Sequence, residues 1–182
     1  MNLPASVAGR ERVRLFCALR LPDEVLDRIA NWGRAELAER IVERRNLHVT
    51  LAFLGHRPVE ELGGILAAMR AAATAAHPIA FEPVRYRETR SVGMLVLTDE
   101  AGAAASLAAE VAERLAALGV YEPEARPWLP HLTVVRFRRR PRLDPPLPPL
   151  GRFSPSDAAV YHSVLRSAGA QYEVVESFAL GG

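Results

Sequence analysis

Residues 46–55 read NLHVTLAFLG, and residues 130–137 read PHLTVVRF. Each stretch holds His-x-Thr followed by an apolar residue: His48-Val49-Thr50-Leu51 and His131-Leu132-Thr133-Val134. Both are rich in β-branched and large apolar residues and are bounded by turn or breaker residues, which predicts two strands. Alternate side chains of a strand share a face, so His48 and Thr50 point together, roughly 6.6 Å apart along the chain, and His131 and Thr133 repeat the arrangement. Val49 and Leu51 point the other way, into a core. Two imidazoles and two hydroxyls, each pair on a rigid strand, suit acid–base chemistry at a phosphate.

Outward from these strands, the pattern alternates. RVRLFCALR, 12–20, reads as an opening strand with Val13, Leu15 and Cys17 on one face. Pro22 and Asp23 start a helix carrying Val25, Leu26, Ile29 and Trp32 at helical spacing, expected to run past a weak point at Gly33 to about Arg40. A second helix is predicted over 59–76, with Leu62, Ile65, Leu66 and Met69 on its buried stripe. Strands near 79–87 and 92–98 follow. A third helix, about 101–118, would bury Leu107, Val111, Leu115 and Leu118 and end at Gly119. After the second histidine strand comes RRRPRLDPPLPPLGR, 138–152, too rich in proline for helix or central strand. Two antiparallel strands close the chain near 157–165 and 171–179, with SAGA as the turn between them. Two His-x-Thr strands 83 residues apart, each preceded by a helix, suggest an internal duplication with pseudo-twofold symmetry. Antiparallel sheets with helices on their outer faces make an α+β architecture. If the two lobes face each other, the four polar residues meet in the cleft between them.

Composition narrows the function classes. The chain has 182 residues, 49% hydrophobic and 24% charged, ordinary values for a folded protein of one domain or two packed lobes. Residues 1–182 are therefore read as a single domain of two lobes, each contributing one histidine strand. No run of about 18 apolar residues is present to span a bilayer, and the first residues lack the apolar centre of a signal peptide. The single cysteine, Cys17, sits in an apolar run, so a cytoplasmic setting and a core role are expected. A monomer is expected because no heptad stands out. The net charge is only +2, yet every basic residue is arginine. Genomic bias accounts for that, although guanidinium also suits phosphates and bases.

Histidine titrates near pH 6.5, so one imidazole can take a proton from water while the other gives one to a leaving group. Phosphodiester hydrolysis wants that pair in line on either side of phosphorus, with the threonine hydroxyls donating to the non-bridging oxygens. The five histidines (48, 56, 77, 131, 162) show no metal-ligand spacing, and there is no cysteine pair, so no metal and no cofactor are expected. A lone His-x-Thr is a weak signal; two copies, both in apolar strands, are far more specific.

The pair resembles the two H-x-T-x signatures of the 2H phosphoesterase superfamily, and in particular its bacterial and archaeal RNA 2′,3′-cyclic phosphodiesterases, also called 2′-5′ RNA ligases. RLFCALRLPDEV is similar to that family's opening strand and helix start, RPWLPHLTVVRFR to its second signature, and VYHSVLRSAGAQYEVVESFAL to its final hairpin. The resemblance implies a bilobal α+β fold with antiparallel sheets lining a central cleft. It implies opening of an RNA 2′,3′-cyclic phosphate to a 2′-phosphate, and also joining of RNA ends through 2′-5′ linkages. By it His48 is the proton donor to the leaving 3′-oxygen, His131 is the proton acceptor that activates water, and Thr50 and Thr133 hold the phosphate. The expected partners are RNA ends such as tRNA fragments, with no membrane. Two departures stand out: IVERRN, 41–46, lacks the aromatic and prolines often found before the first signature, and VGMLVLT, 92–98, lacks a frequent tryptophan.

Other residues carry two readings each. Phe53 and Arg136 both lie five residues after their histidine and would sandwich a base. Strict alternation turns both away from the histidine face, so that role needs a bulge; otherwise Phe53 is core and Arg136 surface. Five arginines between 136 and 142 either steer RNA or form a solvated loop. His56 and His77 are expected at exposed turns, His162 on the sheet surface, and Trp128 in packing. A binding module without turnover, and a phosphodiesterase acting on a small cyclic nucleotide, remain as alternative functions.

Overall fold

Nine residues, RVRLFCALR, make the first strand, β1 (Arg12–Arg20), and its side chains Val13, Leu15, Cys17 and Leu19 are buried on one face. The computed structural model describes residues 7–37, 40–166 and 169–181. Helix α1 (Asp23–Glu36) begins at Pro22, carries Asp23 and Glu24 in its first turn, where the helix dipole favours them, and buries Val25, Ile29 and Trp32. It stops at Glu36, four residues short of the expected end. The amide of Leu37 bonds back to the Gly33 carbonyl, and Leu37 itself is extended.

The elements that follow are β2 (Val49–Pro58), α2 (Leu62–Thr74), β3 (Glu82–Glu88), β4 (Val92–Thr98) and α3 (Ala103–Ala117). The last three are β5 (His131–Arg136), β6 (Asp157–Arg166) and β7 (Gly169–Phe178). A single 3-10 turn over Val59–Glu61 precedes α2, so the predicted second helix has a tighter first turn. Asp99 accepts the Ala104 amide at 2.7 Å and so caps the start of α3. Leu107, Val111 and Leu115 are buried as the periodicity predicts, but Leu118 is 48% exposed because it lies past the last helical turn. Of the expected SAGA turn, Gly169 and Ala170 open β7, while Ser167 and Ala168 lie outside the described residues.

All strand pairs are antiparallel, in the order β3-β4-β5-β2-β1-β6-β7. The two lobes join edge to edge into one seven-stranded sheet, and their seam is a single register pair, Val49 with Leu132. The units β1-α1-β2 and β4-α3-β5 flank that seam with the same strand–helix–strand order, which is the predicted duplication. Apolar residues of all three helices pack with one sheet face in a single large core containing Leu15, Ile65, Met69, Leu107, Leu115 and Leu132. The other face carries a small cluster of Phe16, Ala18, Ala159 and Tyr161, with Tyr172 packed on it. The architecture is α+β, with the helices outside and the opposite sheet face left open as the cleft.

Two expectations about histidines change. His162 is 3% exposed: it pairs with Leu15 across β1 and β6 and so faces the core side of the sheet, while its neighbour Tyr161 faces the cleft. His56 is exposed as expected but lies within β2, not at a turn.

Candidate active site

The seam positions the chemistry. Val49 and Leu132 are fully buried, so their neighbours point to the opposite, open face. One step along each antiparallel strand places His48 across from Thr133 and Thr50 across from His131. In a regular ladder the two histidines then lie on a diagonal of roughly 7–8 Å, room for one phosphate. All four side chains are half-buried.

Each ring is held in the same way. His48 Nδ1 lies 2.7 Å from the Asn46 carbonyl, and His131 Nδ1 lies 2.9 Å from the Leu129 carbonyl, in both cases two residues back. A carbonyl oxygen only accepts, so Nδ1 carries the hydrogen in both rings and Nε2 is left to exchange a proton in the cleft. Asn46 is fixed in turn by its side-chain amide, which donates to the Ala170 carbonyl of β7 at 3.3 Å. Trp128 donates from Nε1 to the Thr50 carbonyl at 3.0 Å, so the approach to β5 is bonded to the backbone of β2.

Both strands contain the bulge that the base-stacking reading requires. In β2 the register jumps from Thr50 opposite Ala18 to Ala52 opposite Cys17, leaving Leu51 as the extra residue. In β5 it jumps from Thr133 opposite Met94 to Val135 opposite Gly93, leaving Val134 extra. An extra residue resets the alternation, so Phe53 and Arg136 return to the face of their histidines. Phe53 is 61% exposed, with its ring centroid 5.6 Å from that of Phe16 on the cleft face. Gly93 is part of this construction. A Cβ there would come within 2.0 Å of Tyr86 Oη and 2.6 Å of Val135 Cγ1.

The electrostatics of the two halves differ. The His48 ring sits 4.9 Å from Phe16, 5.4 Å from Tyr172 and 5.9 Å from Tyr161, centroid to centroid. Phe16 stacks on Tyr161, the two rings 2° from parallel. Desolvation in this aromatic pocket, aided by the charge of Arg136 and of His131, pushes the His48 pKa down to about 4 against the pull of the Asn46 hydrogen bond. No comparable ring contact is made by His131 among the described residues. Beyond Phe53, a cavity of about 450 Å³ runs to Tyr121 and Glu122 in the segment after α3.

The family model of the 2′-5′ RNA ligase superfamily matches residues 21–169, a span that contains both histidine strands. The chain belongs to this superfamily. It is 33% identical over 197 aligned residues to the RNA 2′,3′-cyclic phosphodiesterase of Thermus thermophilus, covering 93% of this chain and 91% of that protein. A protein of the same description from Methanocaldococcus jannaschii is 26% identical, covering 91% of this chain and all of the relative. The crystal structure of the Thermus thermophilus protein TT0787 superposes with a TM-score of 0.77 at 29% identity, covering 93% of this chain and 98% of that one. The superfamily member described here thus shares its fold with that crystal structure over 93% of its length.

Sequence reasoning named the quartet, Phe53 and Arg136, and the structure brings all six to one face. It passed over Asn46, the aromatic pocket of Phe16, Tyr161 and Tyr172, and the Trp128 bond. The pocket had a signal: Phe16 is an aromatic residue on the face of β1 opposite Val13, Leu15 and Cys17. The carbonyl clamps had none, since a backbone acceptor is not written in any side chain. Among the described residues no group of three His, Cys, Asp or Glu side chains is arranged to hold a metal ion.

Proposed function

We propose that this protein hydrolyses RNA 2′,3′-cyclic phosphate ends to 2′-phosphates, without a metal, by paired-histidine acid–base catalysis. The observation that carries this reading is the twin clamp, which leaves Nε2 of both His48 and His131 able to exchange protons across one phosphate-sized gap. His131 accepts a proton from water as its oxygen bonds to phosphorus. The bond from phosphorus to the 3′-oxygen breaks, and His48 delivers a proton to that oxygen, leaving the phosphate on the 2′-oxygen. Thr50 and Thr133 donate hydrogen bonds to the non-bridging oxygens, where charge is held in the transition state. Phe53 and Arg136 flank the terminal base. With an RNA 5′-hydroxyl in place of water as the nucleophile, the same groups bond that oxygen to phosphorus as the 3′-oxygen leaves, and the ends are joined through a 2′-5′ linkage.

His48 is neutral in the free protein at pH 7, so the donor role requires that it take up a proton from solvent as the substrate binds. The substrate phosphate is an anion placed between two imidazoles and a guanidinium, and its charge favours the imidazolium. Proton uptake on binding is therefore part of the reading. The relatives named RNA 2′,3′-cyclic phosphodiesterase support the class of substrate and the opening of its cyclic diester, and tRNA fragments bearing such ends are the proposed physiological substrates.

The test is turnover of a short RNA ending in a 2′,3′-cyclic phosphate, in EDTA, by wild type, His48→Ala and His131→Ala. A 2′-phosphate product whose formation either change abolishes is expected. A 3′-phosphate product would overturn the leaving-group assignment. Turnover confined to small cyclic nucleotides would move the substrate class, and binding without turnover of either would leave a binding module.

A further inference from the structure

The segment leaving β5 is held by a device that a solvated charge run does not need. Glu88, with its side chain only 2% exposed, accepts the Leu143 amide at 2.8 Å, the Arg142 amide at 3.0 Å and Arg140 Nε at 3.0 Å, while Tyr86 Oη lies 3.3 Å away. Arg142 takes φ = 62°, a conformation that non-glycine residues rarely hold without such bonds. The result is a fixed loop, and it completes a cavity of about 480 Å³ lined by Arg40, Arg138, Arg139, Arg140 and Pro141.

Arg40 comes from a different part of the chain. The Arg136 amide donates to the Arg40 carbonyl at 3.1 Å, and the Val42 amide donates to the Val134 carbonyl at 2.9 Å, so the segment after α1 lies along β5. Arg40, Arg138 and Arg139 are exposed, and among the described residues none of them forms an ion pair. Arg140 spends only its Nε on Glu88. Three of the four arginines that line the cavity, Arg40, Arg138 and Arg139, thus have no carboxylate partner among the described residues, and Glu88 pairs only Arg140. The planar fork of arginine matches phosphate oxygens.

We propose that this cavity is a second anion subsite, which holds a backbone phosphate of the RNA chain upstream of the end bound at the histidines. The proposal rests on the RNA reading above and extends it from the terminal nucleotide to the body of the substrate. Position argues for the substrate's own backbone over an acidic polypeptide. The cavity continues the strand that carries His131 and Arg136, and Arg138 lies only two residues, at most about 7 Å of chain, beyond Arg136. A nucleic acid held at the quartet reaches it; a free nucleotide does not.

The test is fluorescence anisotropy with a 5′-labelled ten-nucleotide RNA ending in a 2′-phosphate, comparing wild type with Arg138→Gln/Arg139→Gln. Both changes are at exposed positions, so folding is not at stake. The double variant is expected to bind the oligomer roughly tenfold more weakly. Its slope of log affinity against log salt should be shallower by about 0.7, the value for one lost phosphate contact on a single strand. A nucleoside 2′-phosphate should bind both proteins equally. Unchanged oligomer affinity, or an equal loss for the nucleotide, overturns the subsite, as does competition by polyglutamate at the same concentration as RNA. The readout needs no turnover, so absent hydrolysis of the cyclic phosphate would count against the catalytic reading alone.

Discussion

Trp128 Nε1 and the Thr50 carbonyl, 3.0 Å apart, bond the approach to the second histidine strand to the backbone of the first. The sheet seam between those strands is one register pair, so this bond is one of the few restraints on the distance between His48 and His131. Replacing Trp128 with Phe keeps most of the ring and removes the donor. The expected loss is about 1 kcal/mol of stability from one unmade hydrogen bond, with a several-fold fall in kcat. Thermal unfolding and steady-state kinetics on the same samples check it. A variant with lower stability and wild-type kcat would show that the bond does not hold the catalytic spacing.

His48 makes a pH prediction with a definite sign. Folding lowers its pKa from an ordinary 6.5 to about 4, so between those values the unfolded chain binds a proton that the folded protein refuses. Stability is then full above pH 6.5 and is lost as pH falls toward 4, by about 3 kcal/mol from this group. An NMR titration of the His48 ring should give a midpoint near 4 in the free protein. A nucleoside 2′-phosphate should move that midpoint upward, with net proton uptake on binding. A free-state midpoint at 6.5 would sink the account of the aromatic pocket.

Phe53 is exposed, so Phe53→Ala should leave the melting temperature nearly unchanged. Loss of a stacked base is worth roughly 1–3 kcal/mol, which predicts a fall of about 5- to 150-fold in kcat/KM on RNA. Arg136→Gln should also lower kcat/KM. Because the Arg136 charge is one of the influences depressing His48, this change should in addition raise the His48 titration midpoint. A purely structural role for Arg136 would not move that midpoint.

Glu88 is the anchor of the arginine loop. Burial opposes its ionisation, but the hydrogen bonds from Leu143, Arg140, Arg142 and Tyr86 together outweigh burial and hold its pKa below the ordinary carboxylate value. Its stabilising contribution is therefore present above the usual carboxylate range and lost as pH falls through the lower, folded value. Glu88→Ala should cost about 2 kcal/mol, since the Arg142 and Leu143 amides lose their acceptor. Hydrogen exchange at the amides of Arg142 and Leu143 should accelerate; retained protection there would mean that the loop is fixed by other contacts.

The sequence alone determined the elements and the family. Period-two patterning in NLHVTLAFLG and PHLTVVRF was enough to predict strands with histidine and threonine on one face. The stripes Leu62-Ile65-Leu66-Met69 and Leu107-Val111-Leu115 placed helices, and the repeated signature carried the resemblance that the family match bears out. These are local properties, written in neighbours along the chain.

Tertiary structure decided what depends on partners. Whether Phe53 and Arg136 face the histidines turned on two bulges, and a bulge exists only relative to the opposite strand: Ala18 and Cys17 for one, Met94 and Gly93 for the other. The inequality of the two histidines came from Phe16, Tyr161 and Tyr172, brought beside His48 from β1, β6 and β7. His162 was misjudged for a related reason. Which face of a strand is solvent depends on the helices laid over the sheet, not on the strand's own alternation. The arginine run reads as a solvated loop in the sequence because its anchor, Glu88, lies more than fifty residues earlier in the chain and meets it only in the folded protein.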